Sequence, residues 1–206
     1  MTEYYIPTRA AESEFVEKRS RFIGYIKPVE TEAEARAFVE EIKKRHYDAR
    51  HNCWCYLLRE GGVVRYSDDG EPQGTAGQPM LGVFEKEGIT DLVCVVTRYF
   101  GGILLGTGGL VRAYTAAASG ALQSAELVSM RLVVDCKVRV SYAQFEQAQR
   151  IIAAAETRLD EPIFDDAVTL CWRMPAGQEG ALRTALNELT RGGAEVEISA
   201  PQYAAF

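Results

Sequence analysis

The loop-like stretch DDGEPQGTAG concentrates five polar side chains that could do chemistry: Asp68, Asp69, Glu71, Gln73 and Thr75. Its three carboxylates could bind Mg²⁺ through water molecules or act as acid and base groups. The same residue types also favour a polar turn, in which acidic side chains stabilise the start of a following helix through its dipole. The pattern therefore allows both a binding site and a structural turn.

His51, Cys53 and Cys55 alternate in the stretch HNCWCYLLRE, so a strand would place them on one face. That face could hold zinc, or Cys53 could be a nucleophile with His51 as its base. A zinc site would need a second pair of ligands, which this spacing lacks. Side chains two residues apart on a strand stand parallel, so the orienting acid of a nucleophile would have to come from the next loop. We predict no metal, no cofactor and no catalytic residue, and we count His51 as a candidate binding residue.

Arg98 lies near the end of the otherwise apolar stretch DLVCVVTRYF. An arginine at the edge of a buried strand needs a carboxylate or a ligand anion. The carboxylates at 68–71 are the obvious internal partners. Alternatively, Arg98 contacts an anion or a nucleic acid, with Tyr99 or Phe100 available to stack on a base. The sequence leaves both interpretations open.

The stretch RYFGGILLGTGGLVRAYTAAASGAL joins this predicted strand to an alanine-rich helical pattern. Glycine lets the backbone adopt positive φ or approach another surface closely. The glycines therefore allow two interpretations. They could expose free amide groups at the start of the helix, which would form an anion-binding site, or they could only permit close packing. A cation in the first turn opposes the helix dipole unless an anion or solvent lies above it. The candidate binding residues of this stretch, besides Arg98, Tyr99 and Phe100, are Gly101, Gly102, Gly106, Thr107, Gly108, Gly109 and Arg112.

The overall composition is that of a globular protein, with 206 residues, 47% hydrophobic and 25% charged. The net charge is −6, and acidic residues outnumber basic ones in both halves, which argues against nucleic-acid binding by the whole surface. The basic run Lys43–Arg45 is typical of a solvated helix end. The sequence shows neither a secretory signal nor an apolar run of membrane-spanning length, so we expect a cytoplasmic protein that begins near Met1. Its five scattered cysteines indicate reduced thiols.

Residues 1–131 predict a first domain of strands and helices. A capping box formed by Thr31 and Glu34 begins the first helix, which ends near His46. The other predicted elements are extended structure at 13–29, strands at 51–60, 63–67 and 91–100, a helix from 74 or 75 to 86, and a helix from about 109. The buried face of the first helix consists of Ala35, Phe38, Val39 and Ile42. That of the last helix consists of Leu110, Tyr114, Ala117, Ala121 and Ala125.

Residues 132–206 predict a second domain. The segment 132–140 alternates apolar and polar residues as a half-buried strand does, and Ser141 with Gln144 forms another capping box. Two strand candidates around 158–164 and 167–174, a last helix that ends before Gly192, and the strand AEVEIS complete the order β-α-β-β-α-β. This order is the ferredoxin-like split motif, and that fold serves many functions.

The motifs together resemble the IMPACT family in its bacterial two-domain form. They are His51-x-Cys53, SDDGEPQGTAGQP at 67–79, VTRYFGGILLGTGGLVRAY at 96–114 and the C-terminal β-α-β-β-α-β domain. The resemblance implies an α+β protein: an N-terminal sandwich similar to a domain of a small-subunit ribosomal protein, and a C-terminal ferredoxin-like domain. That tandem is similar to the last two domains of the ribosomal translocase EF-G.

The resemblance also implies a function. Eukaryotic members of the family regulate translation by competing for an activator of the amino-acid-starvation kinase, which is a stress response. We therefore expect a non-catalytic protein that binds RNA, the ribosome or a translation-regulatory protein through its N-terminal motifs, with no membrane partner.

Two alternatives stay open. GTGGLVRAY distantly resembles the phosphate loop of small-molecule kinases, which would make the protein an enzyme on a phosphorylated small molecule or nucleotide; it lacks their paired serines and a clear base. The acidic balance also allows a pure protein-interaction module. The sequence does not indicate an oligomeric state.

Overall fold

The computed structural model describes residues 3–193 and 195–206, which form two compact units. The first unit is Tyr4–Val128, and the second is Ser129–Phe206 together with Glu3. The mixed architecture confirms the predicted α+β class. No helix among the described residues is long and apolar enough to cross a membrane.

The first unit is built on a five-stranded antiparallel sheet with the order β2-β3-β6-β4-β5. Its elements are β1 (Glu3–Pro7), β2 (Ala11–Glu17), β3 (Ser20–Pro28), α1 (Glu32–Arg45), β4 (His51–Leu58), a 3₁₀ turn (Glu60–Gly62), β5 (Val63–Ser67), α2 (Gly77–Lys86), β6 (Leu92–Tyr99) and α3 (Thr107–Gln123). The helix α2 begins two to three residues later than predicted, and α3 begins two residues earlier.

The central strand β6 is buried on both faces, which explains its continuous apolar sequence. α1 covers one face of the sheet with Ala35, Phe38, Val39 and Ile42, as predicted. α2 and α3 cover the other face, where the small residues Ala117 and Ala121 of α3 let the helix lie close to the strands. The capping box of α1 is confirmed, because the Thr31 side chain accepts from the Glu34 amide at 3.2 Å.

The second unit follows the predicted order of strands and helices, except that the strand predicted around 158–164 is divided into two short strands. Its elements are β7 (Leu127–Val140), α4 (Tyr142–Ala153), β8 (Arg158–Leu159), β9 (Ile163–Phe164), β10 (Val168–Pro175), α5 (Glu179–Leu189), β11 (Val196–Ile198) and β12 (Gln202–Ala205). In its antiparallel sheet β7 pairs with β10, β8 and β9 pair with β10, and β11 and β12 pair with β7. The capping box of Ser141 and Gln144 is confirmed. The predicted domain boundary at 131/132 falls within β7, and β12 has no counterpart in the prediction.

Candidate functional site

A buried polar cluster lies on the sheet face covered by α2 and α3. It consists of His51, Cys53, Glu71, Arg98 and Tyr114. His51 and Arg98 are register partners across β4 and β6, and Cys53 follows two residues along β4, so all three lie on one face. Glu71 reaches them from the loop before α2, and Tyr114 reaches them from α3. The structure therefore brings together His51, Cys53, Glu71 and Arg98, which are up to 47 residues apart in sequence. It adds Tyr114, which was predicted only as part of a buried helix face.

Arg98 and Glu71 form the centre of the buried polar cluster. Nη1 of Arg98 donates to Oε1 of Glu71 at 2.6 Å, and the two side chains are only 7% and 4% exposed. The Tyr114 hydroxyl donates to the same oxygen at 2.9 Å, and burial raises the pKa of that phenol, so it stays protonated. Three loop carboxylates were expected as possible partners of Arg98, and the one that forms the ion pair is Glu71.

The guanidinium of Arg98 also lies against two aromatic rings. Its central carbon is 5.5 Å from the ring centroid of Phe22 and 5.5 Å from that of Phe100. Its Nε is buried and has no hydrogen-bond partner among the described residues. Arg98 is therefore a fixed internal cation on which the Phe100 ring rests.

His51 and Cys53 are both tied to the loop backbone. His51 Nδ1 is 2.8 Å from the carbonyl oxygen of Asp69; a carbonyl only accepts, so Nδ1 carries the proton. The Cys53 thiol donates to the carbonyl of Asp68, and burial raises its pKa. A thiol that is protonated and engaged in this way is a poor nucleophile. Among the described residues, no three His, Cys, Asp or Glu side chains are grouped so that they could hold a metal ion.

The three carboxylates of the loop, Asp68, Asp69 and Glu71, have different hydrogen-bond partners. Asp68 accepts from the backbone amides of Gly74, Ala76 and Gly77 at 2.8 to 3.0 Å, so it caps the start of α2. Asp69 accepts from the backbone amide of Asn52 at 2.7 Å and pairs with Lys43. Only Glu71 enters the buried polar cluster. This geometry matches the structural turn that the sequence allowed, rather than a shared Mg²⁺ site.

The remaining candidates of the loop lie apart from that cluster. The Thr75 hydroxyl is buried and donates to the carbonyl of Pro72 at 2.6 Å, whereas Gln73 is exposed. Thr75 therefore closes the turn, and the Gln73 side chain lies in solvent.

Tyr99 belongs to the opposite face of the sheet. Its hydroxyl donates to Asp48 at 3.0 Å and lies 2.8 Å from Nδ1 of His46, whose Nε2 is 2.7 Å from the Tyr25 hydroxyl. Burial first, and then the nearby cations Arg45 and Arg21, lower the pKa of His46. Tyr99 is thus held within a hydrogen-bonded chain, and Phe100 is the aromatic ring available beside the glycine loop.

The glycine loop, residues 101–106, contacts the turn between β2 and β3. A Cβ on Gly101 would lie 2.0 Å from the carbonyl carbon of Arg19, so only glycine fits there. The Gly101 amide donates to Ser20 Oγ at 3.2 Å. This contact holds Lys18 and Arg19, which are 83 and 82 residues from Gly101 in sequence, beside the loop.

The end of the glycine loop begins α3. Gly106 is the N-cap residue with a φ of 70°, and the first turn has neither a side-chain cap nor an acidic residue. Thr107, Gly108 and Gly109 form that turn. A Cβ on Gly108 would lie 3.7 Å from Nη1 of Arg112, so the Arg112 guanidinium lies beside the helix start.

Exposed apolar side chains and free cations surround the glycine loop. Leu104 is 83% exposed and Phe100 is 44% exposed, and Ile103 and Val111 are exposed as well. The exposed cations Lys18, Arg19 and Arg112 have no ion pair with any described residue. We call residues 18, 19, 100–109, 111 and 112 the signature face.

Sequence reasoning missed Lys18, Arg19 and the exposure of Ile103 and Leu104. The signal for the leucine and isoleucine was their position inside a glycine-rich loop, where no helix or strand buries them. For Lys18 and Arg19 no local signal exists, since their proximity depends on the Gly101 contact.

Comparison with known proteins identifies the class of protein that carries this fold and face. Residues 18–122 match the Impact N-terminal domain, and residues 138–192 match a domain of unknown function. The chain therefore belongs to the IMPACT family.

Relatives align over most of its length. The IMPACT family member YvyE of Bacillus subtilis is 36% identical, with 94% of this chain and 90% of that protein covered. YigZ of Escherichia coli is 32% identical, with 87% and 89% covered. A crystal structure of a hypothetical protein is 31% identical and aligns with a TM-score of 0.60, with 95% and 97% covered.

Proposed function

We propose that this protein is a non-catalytic regulator in translation, which binds RNA, the ribosome or a translation-factor partner through the signature face in the cytoplasm. Membership of the IMPACT family supports a regulatory role, since the family resemblance implies control of translation. The proposal assigns binding to the first unit, where the motifs of the family lie.

One observation carries the proposal. The side chains that could do chemistry are buried and hydrogen-bonded to one another, whereas the signature face exposes apolar side chains and cations that form no ion pair with a described residue. Arg98, Glu71 and Tyr114 are bonded together, and the Cys53 thiol is protonated. By contrast, the Leu104 side chain is 83% exposed. Contiguous exposed apolar side chains on a soluble domain mark interaction sites. A surface of this kind fits binding better than catalysis.

Ribosome co-sedimentation of the full chain at about 50 and 200 mM salt tests the proposal. We expect the native protein to pellet with ribosomes at low salt and less at high salt. Leu104→Asp and Arg112→Glu should each reduce the pelleted fraction several-fold, because they remove an apolar contact and reverse a free cation.

Ile163→Asp is the matched control, since Ile163 is an exposed apolar residue of the second unit, 59% exposed. It should pellet like the native protein. Equal pelleting of all four proteins, or no pelleting of the native chain at low salt, would contradict the proposed function. Unfolding curves that coincide with the native curve ensure that each variant is folded.

A further inference from the structure

We infer that the signature face binds single-stranded RNA in particular. The inference rests on the proposed function and narrows it, from a component of the translation system to a ribose-phosphate strand with accessible bases. Three features of the face, namely its cations, its aromatic ring and its bare backbone, fit that one ligand together.

The free cations lie at both ends of the glycine loop. The backbone of Arg19, whose side chain is exposed, contacts Gly101 at the start of the loop, and the Arg112 guanidinium lies beside Gly108 just past its end. Lys18 and Arg19 occupy the two central positions of a tight hairpin, with φ of 44° and 65°. Asn and Gly are the usual residues at such positions, and a long side chain there costs stability. The face thus keeps two cations at an unfavourable backbone position, which is consistent with a polyanion spanning the loop.

Phe100 lies between these cations in sequence, and its ring is held in place by the side chain of Arg98. Its ring rests on the Arg98 guanidinium, which Glu71 fixes at 2.6 Å. Since Phe100 is still 44% exposed, a ring face or edge is open to a ligand. Nucleobases stack on such rings without strong sequence preference. A preorganised ring on a fixed guanidinium is therefore a stacking platform for an unpaired base.

The backbone of the glycine loop leaves space for an RNA strand to approach. A Cβ at Gly102 or at Gly106 would meet no atom within 4 Å, so the loop backbone is open on that side. Ile103, Leu104 and Val111 are exposed around it and can cover the apolar faces of bases and riboses. In a duplex the base faces are stacked inside, and the protein would meet phosphates, 2′-hydroxyls and base edges instead. The combination of cations with apolar groups therefore favours a single strand over a duplex.

Fluorescence anisotropy with a labelled 12-nucleotide oligouridine tests this inference. We expect binding whose logarithm falls with log salt at a slope of about −2, as three phosphate contacts predict for a single strand. Arg112→Gln should reduce that slope by about 0.7. Phe100→Leu should weaken binding roughly ten-fold at an unchanged slope, because it removes stacking but no charge. A 12-base-pair RNA duplex should bind more weakly than the single strand.

Arg139→Gln is the matched control, because Arg139 of the second unit is paired with Asp166. It should bind oligouridine like the native chain. The inference is wrong if the native chain does not bind oligouridine at about 50 mM salt, if the duplex binds as tightly, or if Phe100→Leu and Arg112→Gln bind like the native chain.

Competition separates the inference from the proposed function. Oligouridine in excess should displace the protein from ribosomes. If ribosome pelleting depends on Leu104 and Arg112 but oligouridine neither binds nor competes, the proposed function stands and the partner is a protein surface. If the native chain does not pellet at all, the proposed function itself fails.

Discussion

The cations on the two central strands of the second unit and those on the signature face of the first unit differ in how they are paired. On β7 and β10 of the second unit, each of four cations has a carboxylate partner: Arg131 pairs with Glu156, Lys137 with Glu197, Arg139 with Asp166 and Arg173 with Asp135. On the signature face of the first unit, Lys18, Arg19 and Arg112 have no such partner among the described residues. The net charge of −6 conceals this difference. Pairing, rather than the count of charges, indicates which surface can attract an anion.

The largest expected effect concerns the buried ion pair beneath the signature face. Glu71→Gln should lower the free energy of unfolding by about 3 to 5 kcal/mol, because it leaves the Arg98 cation buried without its counter-charge. Asp166→Asn, which breaks an exposed pair of the second unit, should cost less than about 1 kcal/mol. Urea unfolding followed by circular dichroism measures both.

A double variant completes that test. Arg98→Met with Glu71→Leu removes both charges, so it should be more stable than Glu71→Gln alone. If Glu71→Gln unfolds at the same urea concentration as the native chain, the ion pair does not support the first unit in the way argued.

An intermediate effect is expected where the glycine loop meets the hairpin. Gly101→Ala should cost roughly 1 to 3 kcal/mol, because the new methyl group would overlap the backbone of Arg19. It should also weaken oligouridine binding, since the cations of the hairpin would shift. Thermal unfolding and anisotropy on the same preparation measure the two effects.

Gly180→Ala in α5 is the counterpart in the second unit. Its Cβ would meet nothing within 4 Å, so the substitution should be neutral or should stabilise by about 0.5 kcal/mol. A Gly101→Ala protein as stable as Gly180→Ala would show that the loop and the hairpin are not in close contact.

The parts of the molecule that were predictable have local signals. The first helix was predicted with its cap and its buried face, because both depend on residues three or four apart. The strand β12 was missed, since QYAA carries no clear pattern and is ordered by pairing with Met130–Val133 of β7. Local sequence patterns therefore predict individual helices and strands. Elements that are ordered by pairing with a distant segment are not predictable in this way.

The same limit applies to the candidate site. Chemistry alone restricted the partner of Arg98 to the loop carboxylates, but the choice of Glu71 depends on a turn in which Asp69 and Gly70 have φ of 43° and 85°. Likewise, nothing near Lys18 in sequence connects it with Gly101. Residue types could be predicted for this site, whereas their convergence required the fold.

The smallest expected effect is the response of the two units to acid. Since His46 has a pKa below its ordinary value of 6.5 in the folded first unit, the unfolded chain binds the proton more readily. The stability that this residue contributes is complete above pH 6.5 and falls as the pH drops towards the folded value. In the second unit Arg173 lowers the pKa of Asp135 from 3.8, so the loss there begins only below that pH.

Urea unfolding at pH 7, 6 and 5 therefore distinguishes the units. The first unit should lose stability over this range, and His46→Gln should remove that part of the loss, because glutamine does not titrate. The second unit should change little between pH 7 and 5 through Asp135. A His46→Gln protein that keeps the native pH dependence would mean that burial and the nearby cations Arg45 and Arg21 do not lower the pKa of His46.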